Sequence, residues 1–215
     1  MSESIPPYSP QLISELKKDV GVSEGFFSQI IHEDDWSLII KLHGLIEAGL
    51  TQILSTYFGD PRLEQLFSRM NISGRNGKLS FIQALDLLPE RNIKFIRELS
   101  EIRNQIVHRI TNVNFSIEDY FKSLDRQKLL NFVDTCGDGV IPEDWADFSQ
   151  NRSYEEKQAD SFLKKPRELF WWSSVFVLGN ISKSKGFHRA SREIADIERQ
   201  AGKLLLKRDK LVQST

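Results

Sequence analysis

Apolar residues recur along this chain at steps of three and four, and that spacing predicts helices almost throughout. Ser9-Pro10 opens a short helix to about Val20, with a side-chain cap and a first-turn proline, and Gly21 ends it. Ser23 is expected to cap another to Ile31. A long helix follows from about Glu33 to Phe58. Its acidic start, Glu33-Asp34-Asp35, suits the helix dipole, and Leu38, Leu42, Leu45, Ile46, Leu50, Ile53 and Leu54 mark its apolar side. Gly59-Asp60-Pro61 stops it and restarts a helix through Leu63, Leu66, Phe67 and Met70; Ser73 to Gly77 is a turn.

Leu79 to Leu88 reads as an apolar helix ended by Pro89. The next runs from about Glu90 to Ile110, with Ile93, Ile96, Leu99, Arg103, Ile106 and Ile110 along one face. Ser116 caps a helix through Tyr120 and Leu124, and Leu129 to Val133 keeps the same phase. No segment reads as a strand; Val113 to Phe115 is too short to build a sheet. The fold class expected is all-α, an up-and-down helical bundle with a C-terminal helical extension.

Residues 137–160 differ in texture, with seven acidic side chains against two basic ones, and predict a solvated connection with a helical start near Tyr154. After Pro166 comes a very apolar helix, Glu168 to about Ser182, with Ser182 to Gly186 expected to break it. Trp171-Trp172 is either core or a partner surface, and the apolar surroundings favour core. In the tail, Ala190, Ile194, Ile197, Ala201, Leu204 and Leu211 repeat at three-and-four spacing, with Arg208 at the one polar step. So short a seam is expected to pack on its own chain. The organisation expected is thus 1–32 N-terminal short helices, 33–136 helical bundle, 137–160 acidic connection and 161–215 C-terminal helices.

Composition narrows the class. With 215 residues, 40% apolar and 27% charged, the chain is neither disordered nor a disulfide scaffold. Lys plus Arg is 29 against 30 Asp plus Glu, which argues against a globally basic nucleic-acid binder. From Lys183 onward, however, nine basic residues face four acidic ones, so the tail is a candidate for direct nucleic-acid contact. Cys136 is the single cysteine, which excludes an internal disulfide and any Cys-based metal site within one chain. MSESIPPYSP has neither the basic start nor the apolar run of a signal peptide. The run Leu169 to Ile181 is shorter than the roughly 20 residues a membrane span needs. The expectation is a cytoplasmic protein with no membrane partner, no cofactor and no metal.

Few motifs survive inspection. Asp134 to Gly139 has the glycine of a calcium loop but would place Cys136 and Trp145 as ligands, which do not suit Ca²⁺. Gly74-Arg75-Asn76-Gly77 lacks the Gly-Lys-Ser/Thr ending of a phosphate loop. His32 and His188 read as surface residues, and His43, inside the long apolar helix, as a core or interface histidine.

Arg103-Asn104-Gln105-Ile106-Val107-His108 is more informative. At about 100° per residue, Asn104 and His108 share a helix face, while Arg103 and His108 lie about 140° apart. One helix therefore cannot aim both at one atom; a two-fold dimer, or unwinding near Thr111, would be needed. Such a cleft could cleave RNA without metal. The histidine would move a proton at the ribose 2′-OH or the leaving 5′-oxygen. The arginine would hold the phosphate, and the asparagine would position either.

LSEIRNQIVHRI resembles the signature of the HEPN superfamily, an Arg beside a polar residue and a His four to six residues on. GKLSFIQALDLLPERNIKFIRELSEIRNQIVH is similar to its mannitol operon repressor branch, the likeness covering roughly Trp36 to Val133. The resemblance implies a HEPN-like bundle that dimerises through its motif helices. It also implies a metal-independent endoribonuclease of the toxin or phage-defence kind, acting on an RNA substrate under a protein antitoxin or regulatory partner. Arg103, Asn104 and His108 then match the catalytic positions, and Arg109 is a candidate phosphate contact. Ile110 stands where some toxin members carry the tyrosine that an antitoxin modifies, which disfavours that regulation. The repressor branch leaves open a non-catalytic regulatory or scaffolding protein of the same fold. No helix-turn-helix with a basic recognition helix is evident.

Overall fold

The computed structural model describes Ser14, Leu16, Val22, Ser23 and residues 25–108, 114–136 and 153–213, with side chains to 204. Nine helices are defined among the described residues: α1 (Phe26–Ile30), α2 (Asp35–Phe58), α3 (Arg62–Ser68), α4 (Lys78–Ala84), α5 (Glu90–Val107), α6 (Ile117–Ser123), α7 (Arg126–Thr135), α8 (Tyr154–Phe162) and α9 (Pro166–Gln213). No strand occurs among them, so the fold is an all-α helical bundle.

The central pair is α2 and the first half of α9, with α3, α4 and α5 against α2. Asp34 caps α2 by accepting from the Ser37 N–H at 2.9 Å, which also holds the Asp34 carboxyl below its usual range. Leu38, Leu42, Ile46, Leu50, Ile53 and Leu54 are buried along α2, as their spacing predicts. By length and composition α2 could cross a membrane, but half of its apolar window is buried within the bundle. Gly49 lets α9 approach, since a Cβ there would meet Ile181 Cγ2 at 2.9 Å. At Gly59 the backbone turns left-handed (φ 65°) and ends α2.

Phe95, Phe121, Phe132, Phe162 and Phe170 fill the space between α5, α6, α7, α8 and α9, with ring centroids 4.5 to 6.1 Å apart. Trp171 is buried in the same core, as expected, and Trp172 is half-buried against it. Arg167, at the start of α9, donates to the Ile31 carbonyl (2.6 Å), the Glu33 carbonyl and Asp35 Oδ1, while Asp35 Oδ2 accepts the Ile117 N–H at 2.7 Å. One ion pair therefore ties together the starts of α2, α6 and α9.

Several boundaries differ from expectation. Ser23 does not cap α1; Gly25 takes the N-cap position in a left-handed conformation without a side-chain cap. The segment before Pro89 stops early, at Ala84, where Asp86 turns left-handed (φ 51°) and the Leu87 N–H returns to the Ile82 carbonyl. Ser116 caps α6 as expected, but Asp125 caps a separate α7 rather than a continuation. Helix α8 starts at Tyr154 behind a Ser153–Glu156 capping box.

The largest correction concerns the tail. No break occurs at Ser182 to Gly186: α9 is one continuous 48-residue helix. A single helical Gly costs only about 1 kcal/mol, and Lys185, buried beside α2, bonds Gln52 Oε1 at 3.1 Å within that stretch. Nor does the tail seam pack on its own chain, because Ile194, Ile197 and Leu204 are exposed. Of the predicted N-terminal helix, Ser14 and Leu16 are helical and Leu16 is fully buried. Arg109, Ile110, Thr111 and the acidic connection before Ser153 lie outside the described residues.

Candidate functional site

Helix α5 carries the motif at its C-terminal end. Its core side is set by Ile93, Phe95, Ile96, Leu99, Ile102 and Ile106, all buried. Lys94, Glu101, Asn104 and His108 recur at helical spacing and are exposed, giving a polar stripe on the solvent side. His108 ends the stripe as the C-cap residue of the helix (φ −84°, ψ −3°).

Arg103 sits between these two sides and is half-buried. Its Nη1 donates to Asn104 Oδ1 at 3.0 Å. Two of the three motif residues are therefore brought together. Neither is bonded to His108 among the described residues; for Arg103 the 140° separation accounts for this. No carboxylate forms an ion pair with Arg103 among the described residues, so its charge remains available to an anion.

Neighbouring helices add a group that sequence reasoning missed. His43 and Glu47 lie one turn apart on α2, and Lys78 at the start of α4 reaches across. The Lys78 side chain is fully buried, with Nζ 2.8 Å from Glu47 Oε1. Burial pushes the His43 imidazole below its ordinary range; Glu47 opposes that shift, while Arg103 and Lys78 reinforce it. The neutral imidazole is thus favoured at His43, which lies within the field of Arg103. The sequence signal was there: His43 and Glu47 are i and i+4 at the polar margin of a helix that is otherwise apolar. What it could not give was Lys78, thirty-one positions later, as the third member.

Beside the stripe on α5, burial and then Glu101 raise the Glu98 carboxyl, and burial together with both carboxylates raises the Tyr120 phenol. Cys136 is buried and its thiol is pushed up to about 12, which makes it a poor nucleophile. No group of three His, Cys, Asp or Glu side chains arranged to hold a metal occurs among the described residues. Two described cavities, of about 320 and 290 Å³, lie elsewhere, between the end of α2, α3 and the α9 residues Lys185 to Asp196. Comparisons of the chain with protein-family models, with curated proteins and with solved structures find no match.

Proposed function

We propose that this chain is a metal-independent endoribonuclease of the HEPN type, acting as a homodimer through its motif helices, in a cytoplasmic toxin or phage-defence role. The observation that carries this reading is Arg103: half-buried, fixed by Asn104 and unpaired with any described carboxylate, at the end of a helix whose next exposed turn presents His108.

An arginine in that setting binds a phosphodiester and stabilises the added charge of the pentacoordinate transition state. His108, solvent-accessible, takes the 2′-OH proton or donates one to the 5′-oxygen that leaves. The 2′-oxygen then bonds to phosphorus as the P–O5′ bond breaks, leaving a 2′,3′-cyclic phosphate and a 5′-hydroxyl. Because Arg103 and His108 face different ways on one helix, the productive pair is Arg103 of one chain with His108 of its two-fold mate.

The test is RNA cleavage in EDTA by wild type and His108→Ala, with the molecular mass checked on the same samples. Loss of the general acid–base group should lower the rate about 100-fold or more while the mass stays unchanged. The second reading, a non-catalytic regulatory protein of the mannitol operon repressor-like type, is favoured by the separation of Arg103 from His108 within one chain. It predicts no cleavage by wild type across several RNAs.

A further inference from the structure

The last helix has two apolar faces that point in opposite directions. From Leu169 to Ile181 it is buried in the bundle. Contact with the body then continues along one narrow strip. Ile181 abuts Gly49, Lys185 bonds Gln52, the His188 ring meets Tyr57 edge-on at 5.2 Å, and Arg192 lies against Gly59. At about 100° per residue these four fall within about 60° of one another.

Phe187, Ala190, Ile194, Ile197, Ala201 and Leu204 lie on the other side; Ile194 is about 180° from Lys185. Phe187, Ile194, Ile197 and Leu204 are 68%, 57%, 66% and 66% exposed, so the bundle leaves this stripe uncovered. The stripe is heptad-spaced. Phe187, Ile194 and Ala201 occupy a positions; Ala190, Ile197 and Leu204 occupy d positions; in sequence Arg208 and Leu211 follow at a and d.

We propose that this stripe pairs, antiparallel, with the same stripe of a second copy of the chain, centred near Arg199. An antiparallel pair sets a against d. Ile197 then meets the partner's Ala201, Ile194 meets the partner's Leu204, and the Arg208 position falls opposite the partner's Ala190. Each small residue faces a large one. A parallel pair sets like against like: Ala190 on itself and Ala201 on itself leave two voids, and two Arg208 charges meet at the seam.

The flanking positions agree. Antiparallel, Glu193 at g faces the partner's Lys207 at g, twice per dimer; parallel, Glu193 faces the partner's Glu198. One like-charge contact remains in the antiparallel pair, Glu198 with its own copy, against those two opposite-charge contacts. The helix dipoles are also opposed. The paired length from 187 to 211 is about 36 Å. This interface goes beyond the motif-helix dimer and uses a different face, leaving α5 of each bundle open. A protein with both interfaces is a tetramer or a longer chain.

Sedimentation of the full chain tests the pairing, and spin-label distances test its direction. Wild type is expected at an even multiple of the chain mass. Ile194→Asp with Ile197→Asp should lower that mass by half or more with circular dichroism unchanged. Labels at Arg199→Cys should be separated only by the width of the helix pair, and those at Lys210→Cys by a further distance of about 33 Å along the axis. The buried Cys136 stays unlabelled in both. A wild type at the mass of one chain overturns the proposal and leaves the stripe to a partner of different sequence. A double variant with the wild-type mass also overturns it, as do equal distances at the two labels.

Discussion

Lys78 has no exposed side-chain surface, and its ammonium is matched by one carboxylate, Glu47, that keeps more than a third of its own surface in water. The two ends of this pair are therefore not equivalent. Glu47→Gln strands a buried charge and should cost about 3 kcal/mol in urea unfolding, whereas Lys78→Met removes the charge itself and should cost less. Equal losses would show that the pair is not buried in solution. His43 beside them gives a pH prediction. Its folded-state value lies below the ordinary 6.5, so the unfolded chain binds the proton more readily. Stability from this group is complete above pH 6.5 and is lost as the pH falls below it. His43→Gln should flatten that limb of the stability–pH curve, and an unchanged slope would show that His43 titrates freely. At the motif the residues and their angular separation were legible in the sequence. It could not give the hydrogen bond from Arg103 to Asn104 or the charge of Lys78 nearby, because both depend on how α4, α2 and α5 pack.

At the scale of the element, two of the contacts that hold the α2–α9 pair are open to single substitutions. Arg167 joins α9 to Asp35 and to two carbonyls at the start of α2. Arg167→Met leaves a partly buried carboxylate and those carbonyls short of donors, and should lower stability by about 2–4 kcal/mol. Gly49 fixes how closely the helices approach, so Gly49→Leu, which must displace Ile181, should cost about 1–3 kcal/mol by the same urea measurement. Wild-type stability in either variant would contradict the observed approach of α9 to α2. Cap chemistry is local, so Ser116 was legible as a cap and the starts near Asp34 and Ser153 were legible within a residue or two, although the Asp125 cap that separates α7 was missed. Boundaries were not legible where packing decides. Gly186 and its Ser/Lys neighbours resemble a break in isolation, yet Ile181 and Lys185 anchor that stretch to the bundle and keep the helix going.

At the scale of the molecule, helical periodicity carried the all-α bundle, since most apolar positions it marked from α2 to α7 are buried in or packed against one continuous cluster, Leu66 being an exposed exception. It failed on the tail for a geometric reason. The apolar stripe there has the right spacing for packing, but it emerges half a turn from the face that the bundle holds, and only the continuity of α9 reveals this. The proposed ribonuclease site likewise needs more than one chain, with Arg103 from one protomer and His108 from its mate. Mixing Arg103→Ala protein with His108→Ala protein, after dissociation and reassociation, tests this most directly, with RNA cleavage in EDTA as the readout. The account predicts cleavage by wild type, none by either variant alone, and recovery to about a quarter of wild type in the mixture, where half the dimers carry one intact site. A mixture as inactive as its components would contradict a site shared between chains, and a wild type that cleaves no RNA would contradict the ribonuclease itself.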